Sequence, residues 1–160
     1  MTAGTGTTSG LRERLAAFQA ASEVSAADLD ALWADCAPVR AADVLGAWRG
    51  SDFETDHPVH AMLASSGWHG KRFDSVREAH PLICRGEDGE LFSNADLGRG
   101  LASLWDIEFR GEVTASMVYD GQPVIDHFKA VDDDTLLGVM NGKGVRHEGR
   151  HYYFVLEREG

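Results

Sequence analysis

A chain of 160 residues that is 43% hydrophobic and 26% charged holds enough apolar material for one domain-sized core without a metal or disulfide to staple it. Its formal charge of −11 argues against nucleic acid as a partner, since phosphate binding rests on Lys and Arg, and opposes adhesion to anionic lipid surfaces. No run of about 18 apolar residues is present, and the opening MTAGTGTTSG has neither a basic nor an apolar leader segment, so a cytoplasmic protein without integral membrane association is expected.

Residues 1–10 read as a disordered polar tail and 11–160 as a single domain. Within it, 11–42 carry the helical signals. Leu11, Leu15 and Phe18 recur at helical spacing, and Ser25 to Asp28 has the form of a capping box with Val24 and Leu29 as its staple. That second helix is expected from Ala26 through Cys36, with Pro38 ending it. Cys36 and Cys84 read as reduced, partly buried thiols.

Residues 43–105 alternate short apolar runs with glycine. Gly46-Ala47-Trp48-Arg49-Gly50 places an indole between two glycines, and Gly67-Trp68-His69-Gly70 repeats the theme in thinner form. Flanking glycines let backbone elements approach closely, so Trp48 reads first as a packing plug, with Gly46 and Gly50 as structural residues beside it. Val59 to Ser65 fits one or two helical turns. Leu82 to Ser93 reads as a hairpin turning at Asp88-Gly89.

Residues 106–160 are β in pattern. Ile107, Phe109, Val113, Ala115, Met117 and Tyr119 sit at period two, a pattern that needs a bulge near Gly111 to remain one strand. Turns at Asp120-Gly121 and Asp132-Asp133-Asp134 separate further strands over 122–131, 135–141 and 151–158. So many antiparallel strands tend to curl and close. The expected fold is mainly β, a closed or nearly closed antiparallel barrel of calycin type behind an N-terminal helical segment, wide enough for one small ligand.

The segments LGAWRG, DHP (56–58), GWHGKRF (67–73), HPL (80–82), DHFKAVDDDTLLGVMNGKG (126–144) and YYFVLER (152–158) together resemble the bacterial GXWXG/DUF4334 family. The resemblance implies a compact barrel related in shape to lipocalins and fatty-acid-binding proteins, with a lipid, phosphoinositides included, as ligand. The Gly-x-Trp start with a late Arg is similar to the indole–arginine pair of lipocalins, which places Arg158 on Trp48; the same start resembles the nitrobindin haem barrels.

From these patterns the polar mouth is expected at Trp68, His69, Lys71 and Arg72, where cations beside an indole suit an anionic head group, and the lumen at Tyr119, Asp126, His127, Phe128, Met140 and Tyr153. Strand alternation forces Asp126 and His127 to opposite faces, so one of them points inward and needs a partner. The readings weighed against binding are a satisfied core hydrogen bond there and plain core filling by the aromatic residues.

The expected role is a noncatalytic carrier or sensor for a hydrophobic small molecule or lipid, as monomer or homodimer, with no cofactor. The alternatives are haem held by His127 or His151, and a small-molecule enzyme using Asp126 and His127 as acid and base. No metal site is expected, because His57 and His60 lack a third ligand nearby, and no nucleophile elbow or phosphate loop is present.

Overall fold

Helix α1 (Thr8–Ala20) and helix α2 (Ala26–Asp35) form where the apolar spacing requires them; α1 begins three residues before Leu11, and the rest of the expected tail lies outside residues 8–160, which the computed structural model describes. Ser25 caps α2 by accepting from the Asp28 N–H at 3.1 Å, while Val24 and Leu29 are both buried. Cys36 ends α2 in an extended conformation, and Ala37–Pro38 (β1) continues as a short strand.

A 3₁₀ turn (Ala41–Asp43) then leads into β2 (Gly46–Asp52) and α3 (Pro58–Ser66). Strands β3 (Trp68–Ser75), β4 (Glu78–Arg85) and β5 (Leu91–Ser93) follow, and a single turn of helix, α4 (Ala95–Gly98), precedes β6 (Ala102–Phe109). The chain ends in β7 (Glu112–Tyr119), β8 (Ile125–Asp132), β9 (Thr135–Asn141) and β10 (Tyr152–Arg158).

The described strands form one antiparallel sheet. Eight of them pair in a ring, β8-β7-β6-β4-β3-β2-β10-β9 and back to β8, while β1 adds to β8 and β5 to β4. The ring is nearly closed rather than uniformly laced. Its thinnest seam is β4–β6, joined by the Ala79–Ala102 bridge and by the Leu104 N–H on the Val76 carbonyl at 2.7 Å.

The expected bulge near Gly111 is instead a hairpin. Arg110 and Gly111 have φ of 53° and 83°, the two positive values of a type I′ turn, and Phe109 pairs with Glu112. A two-residue turn reverses parity: Ala115, Met117 and Tyr119 face the interior, whereas Phe109 lies on the opposite face, against His127. Period two alone does not distinguish one bulged strand from two paired ones.

Two apolar layers result. The barrel interior holds Trp48, Phe73, Leu104, Met117, Phe128 and Phe154. The outer layer packs Leu11, Leu15, Leu32 and Trp33 of the helices on Val131, Leu137, Val139 and Val155. Strand β8 is buried on both faces, so its polar residues Asp126, His127 and Lys129 are all out of water and need partners.

The two glycine-flanked tryptophans interlock. A Cβ on Gly50 would stand 2.2 Å from the Trp68 ring, and one on Gly70 would stand 1.9 Å from the Trp48 carbonyl oxygen, so each motif's glycine makes room for the other's tryptophan. Trp48 donates its N–H to the Val44 carbonyl at 2.8 Å, and the Arg158 guanidinium lies 4.2 Å over its ring, as the late arginine implied. The free cysteines are both buried, Cys36 in the outer layer and Cys84 in the interior.

Candidate functional site

Strand β3 carries irregular pairing with β4 between Trp68 and Arg72, and these register shifts put Trp68, Lys71 and Phe73 inward while His69 and Arg72 turn to the surface. On the facing wall, alternation turns Asp126 and Phe128 inward and His127 and Lys129 outward.

Inside the barrel Lys71 meets Asp126. Nζ lies 3.1 Å from Oδ2, with the two side chains only 3% and 1% exposed. Nζ also donates to the Pro81 carbonyl at 3.2 Å, and it stands 5.0, 5.6 and 5.9 Å from the ring centres of Phe154, Trp68 and Tyr119. Burial lowers the Lys71 ammonium's pKa and raises that of the Asp126 carboxyl, each effect partly offset by the partner's charge. Burial, followed by the Asp126 charge, holds the Tyr119 hydroxyl protonated.

The second carboxylate oxygen, Asp126 Oδ1, is buried with no hydrogen-bond partner. Such an atom costs free energy unless something satisfies it. Asp126 lines a cavity of about 70 Å³. Leu82, Met140 and Phe154 supply the walls, Leu63 of α3 and Leu97 of α4 the roof, and the half-exposed Met62 and Gln122 stand at the rim. A neighbouring depression of about 160 Å³ shares Leu63 and Trp68 and opens past Asp52 and His60. There Asp52 Oδ2 accepts from both the Tyr152 hydroxyl and His60 Nδ1, at 2.6 Å each.

Of the expected ligand residues, Trp68, Lys71, Tyr119, Asp126 and Met140 come together at this cavity. Phe128 faces inward but is packed among Phe73 and Phe154, away from the lining. His69 and Arg72 do not line this cavity; they come together with Lys71 at a separate depression of about 110 Å³ beside Trp48, Leu91 and Phe92, where His69 pairs with Glu159, and Arg72 pairs with Asp74. Tyr153 is not in the lumen either. It shares the helix-facing side of β10, its hydroxyl donating to Asp30 and accepting from Arg110, while Tyr152 and Phe154 take the inner side.

His127 also lies outside the lumen. Its ring stacks on Phe109 at 4.1 Å, Nδ1 is 2.7 Å from the Ser116 hydroxyl, and Nε2 is 3.1 Å from the Asn141 amide. Both nitrogens are engaged, so haem does not fit there. His151 bonds the Met140 carbonyl through Nδ1 and faces the same outer layer, and no histidine lines the inner cavity. An acid–base pair of Asp126 with His127 is likewise separated by the strand itself.

The residues missed by sequence reasoning are Met62, Leu63, Leu82, Leu97 and Gln122. Phe154 was legible from its parity with Tyr152; α4 is one turn long and left no periodic signal to place Leu97.

Residues 31–89 match the family described as GXWXG protein, and residues 100–158 match the domain of unknown function DUF4334. A crystal structure of a protein from Thermomonospora curvata is 40% identical, covers 94% of this chain and 99% of its own, and superposes with a TM-score of 0.84. The chain belongs to the GXWXG/DUF4334 family. None of the curated proteins matches it. The GXWXG match contains both interlocked tryptophan motifs and Lys71, and the DUF4334 match contains Tyr119 and Asp126, so the buried ion pair joins the two halves of the family's fold. Among the described residues no helix is long and apolar enough to cross a membrane.

Proposed function

We propose that this GXWXG/DUF4334 protein binds a small, largely apolar molecule that donates one hydrogen bond to Asp126. The observation that carries the reading is the unpartnered Oδ1 of Asp126, a residue that lines a largely apolar cavity together with Lys71 and Gln122. A carboxylate oxygen left in that state is stabilised by a hydroxyl or N–H that a ligand brings with it.

Size narrows the ligand. The rest of the interior is filled by Trp48, Phe73, Met117 and Phe128, all fully buried, so the expectation of a phospholipid, phosphoinositide or fatty acid contracts to a short chain or small ring. A cavity of about 70 Å³ admits about three or four carbons of a chain, the rest passing the rim at Met62 and Gln122; burying those at about 0.8 kcal/mol per CH₂ contributes roughly 3 kcal/mol and a hydrogen bond to a charged acceptor about 1.5–3 kcal/mol, which less the cost of association places affinity near millimolar. A primary alkanol has the required shape: an apolar body against Leu63, Leu82 and Met140, and a hydroxyl on Asp126.

Trp68 lines the cavity, so its share of the emission of the four tryptophans, read as the difference between wild type and Trp68→Phe, reports occupancy. Titration with 1-butanol, 1-hexanol, 1-octanol and 1-decanol should quench emission saturably and tighten with chain length until the cavity is full. Linear, nonsaturable quenching by every alcohol would overturn the reading.

A further inference from the structure

The cavity contains a second reactive feature besides the acceptor oxygen. Lys71 Nζ reaches it on a strand side chain that is almost fully buried, with a carboxyl group at 3.1 Å and three aromatic rings around it. The geometry points to Lys71 as a covalent anchor that forms an imine with a small apolar aldehyde. This rests on the proposed binding cavity and names a ligand class for it.

An amine adds to a carbonyl only in its neutral form, and a lysine is brought to that form by desolvation in an apolar pocket. Lys71 is so placed, and burial moves its pKa downward while moving that of Asp126 upward. Proton transfer across the pair supplies both reactants at once: a free amine on Lys71 and a carboxylic acid on Asp126. The nitrogen lone pair then forms the N–C bond as the carbonyl π pair moves to oxygen, and a proton passes from nitrogen to that oxygen, giving the carbinolamine. Asp126 protonates the hydroxyl, the C–O bond breaks, and water leaves as the nitrogen lone pair closes C=N. The products are one water and an iminium cation beside the regenerated Asp126 carboxylate, with no oxidant or reductant consumed. Phe154, Trp68 and Tyr119 present ring faces to the cation so formed.

The other buried lysine lacks these conditions. Lys129 Nζ, on the outer face of β8, is held by Glu112 at 2.6 Å, and the depression beside it, where Asp30, Arg110 and Glu112 join Trp33 and Ala34, is open to solvent.

Lys71, Lys129 and Lys143 are the lysines of the chain, so the site can be read without ambiguity. The wild-type protein is incubated with hexanal and cyanoborohydride, which reduces an imine to a stable hexyl-amine, and the modified lysine is located by peptide mass mapping. Modification of Lys71 should exceed that of Lys143 by about tenfold or more, and an excess of 1-hexanol should suppress it at Lys71 alone. Asp126→Asn should slow the reaction by about a hundredfold while leaving Lys143 labelling unchanged. Equal labelling of Lys71 and Lys143, or labelling of Lys143 only, overturns the inference. If 1-hexanol quenches Trp68 saturably in that case, the binding reading survives and the covalent step alone falls; if neither probe engages the cavity, both fall.

Discussion

Two lysine–carboxylate pairs flank strand β8, and they are built for different ends. Lys129 and Glu112 meet at 2.6 Å on the helix side, where the lysine is fully buried against the Trp33 ring but the glutamate side chain is 41% exposed. Lys71 and Asp126 meet at 3.1 Å on the lumen side, where neither is exposed and one carboxylate oxygen has no partner. The first pair lets a long side chain cover apolar surface while its charge reaches a solvated partner. The second keeps both charges dry beside empty space. An interior that needed only stability would be served as well or better by apolar residues there, so the contrast marks the lumen pair as a site and the outer pair as support for α2.

The contrast is broken most severely by removing one member of the dry pair. Asp126→Ala should destabilise the protein by about 3–5 kcal/mol, because Lys71 is left buried and uncompensated, whereas Lys71→Met combined with Asp126→Leu should recover most of that loss in urea unfolding. If the single change costs under about 1 kcal/mol, the pair is not the desolvated unit described.

The outer layer can be probed by acid. Burial, then the neighbouring His151 and Arg110 charges, lower the His127 pKa from 6.5 to about 4. The unfolded chain therefore binds a proton that the native state refuses between those values. His127 stabilises the fold fully above pH 6.5, and up to about 3 kcal/mol is lost as pH falls from 6.5 through 4. His127→Gln should flatten that part of the stability–pH curve; an unchanged slope would move the acid sensitivity elsewhere.

Glu112→Gln tests the outer, supporting pair. Lys129 would lose a charged partner that already reaches water, so a cost of about 2 kcal/mol is expected, below that of Asp126→Ala, with alkanol quenching of Trp68 unchanged. The smallest effect is expected at Arg158→Leu, which loses a cation–π contact on Trp48 and a 2.8 Å hydrogen bond to the Leu45 carbonyl, about 1–2 kcal/mol by thermal unfolding, again without effect on the cavity.

Much of this architecture was legible in the residues. The capping box at Ser25, the reversals at Asp88-Gly89 and Asp132–Asp134, and the strand over Thr135–Asn141 all carry local chemistry that fixes local structure. Asp126 and His127 were certain to part company across β8, but which of them faced inward depended on the register with β7 and β9, a long-range fact. The inward turn of Lys71 alongside Trp68 depended on the irregular β3–β4 pairing, and simple alternation would have separated them. The same bulges turn His69 and Arg72 away from the inner cavity to a depression that they share with Lys71, and parity along β10 puts Tyr153 on the helix side.

The most direct test is a crystal structure grown with 1-hexanol. The account predicts the alcohol in the cavity under α3, its chain between Leu82 and Met140 and its hydroxyl oxygen about 2.7 Å from Asp126 Oδ1. Hexanol bound instead on the exposed Leu91 and Phe92 of β5, with Oδ1 still unpartnered in an empty interior, would contradict it.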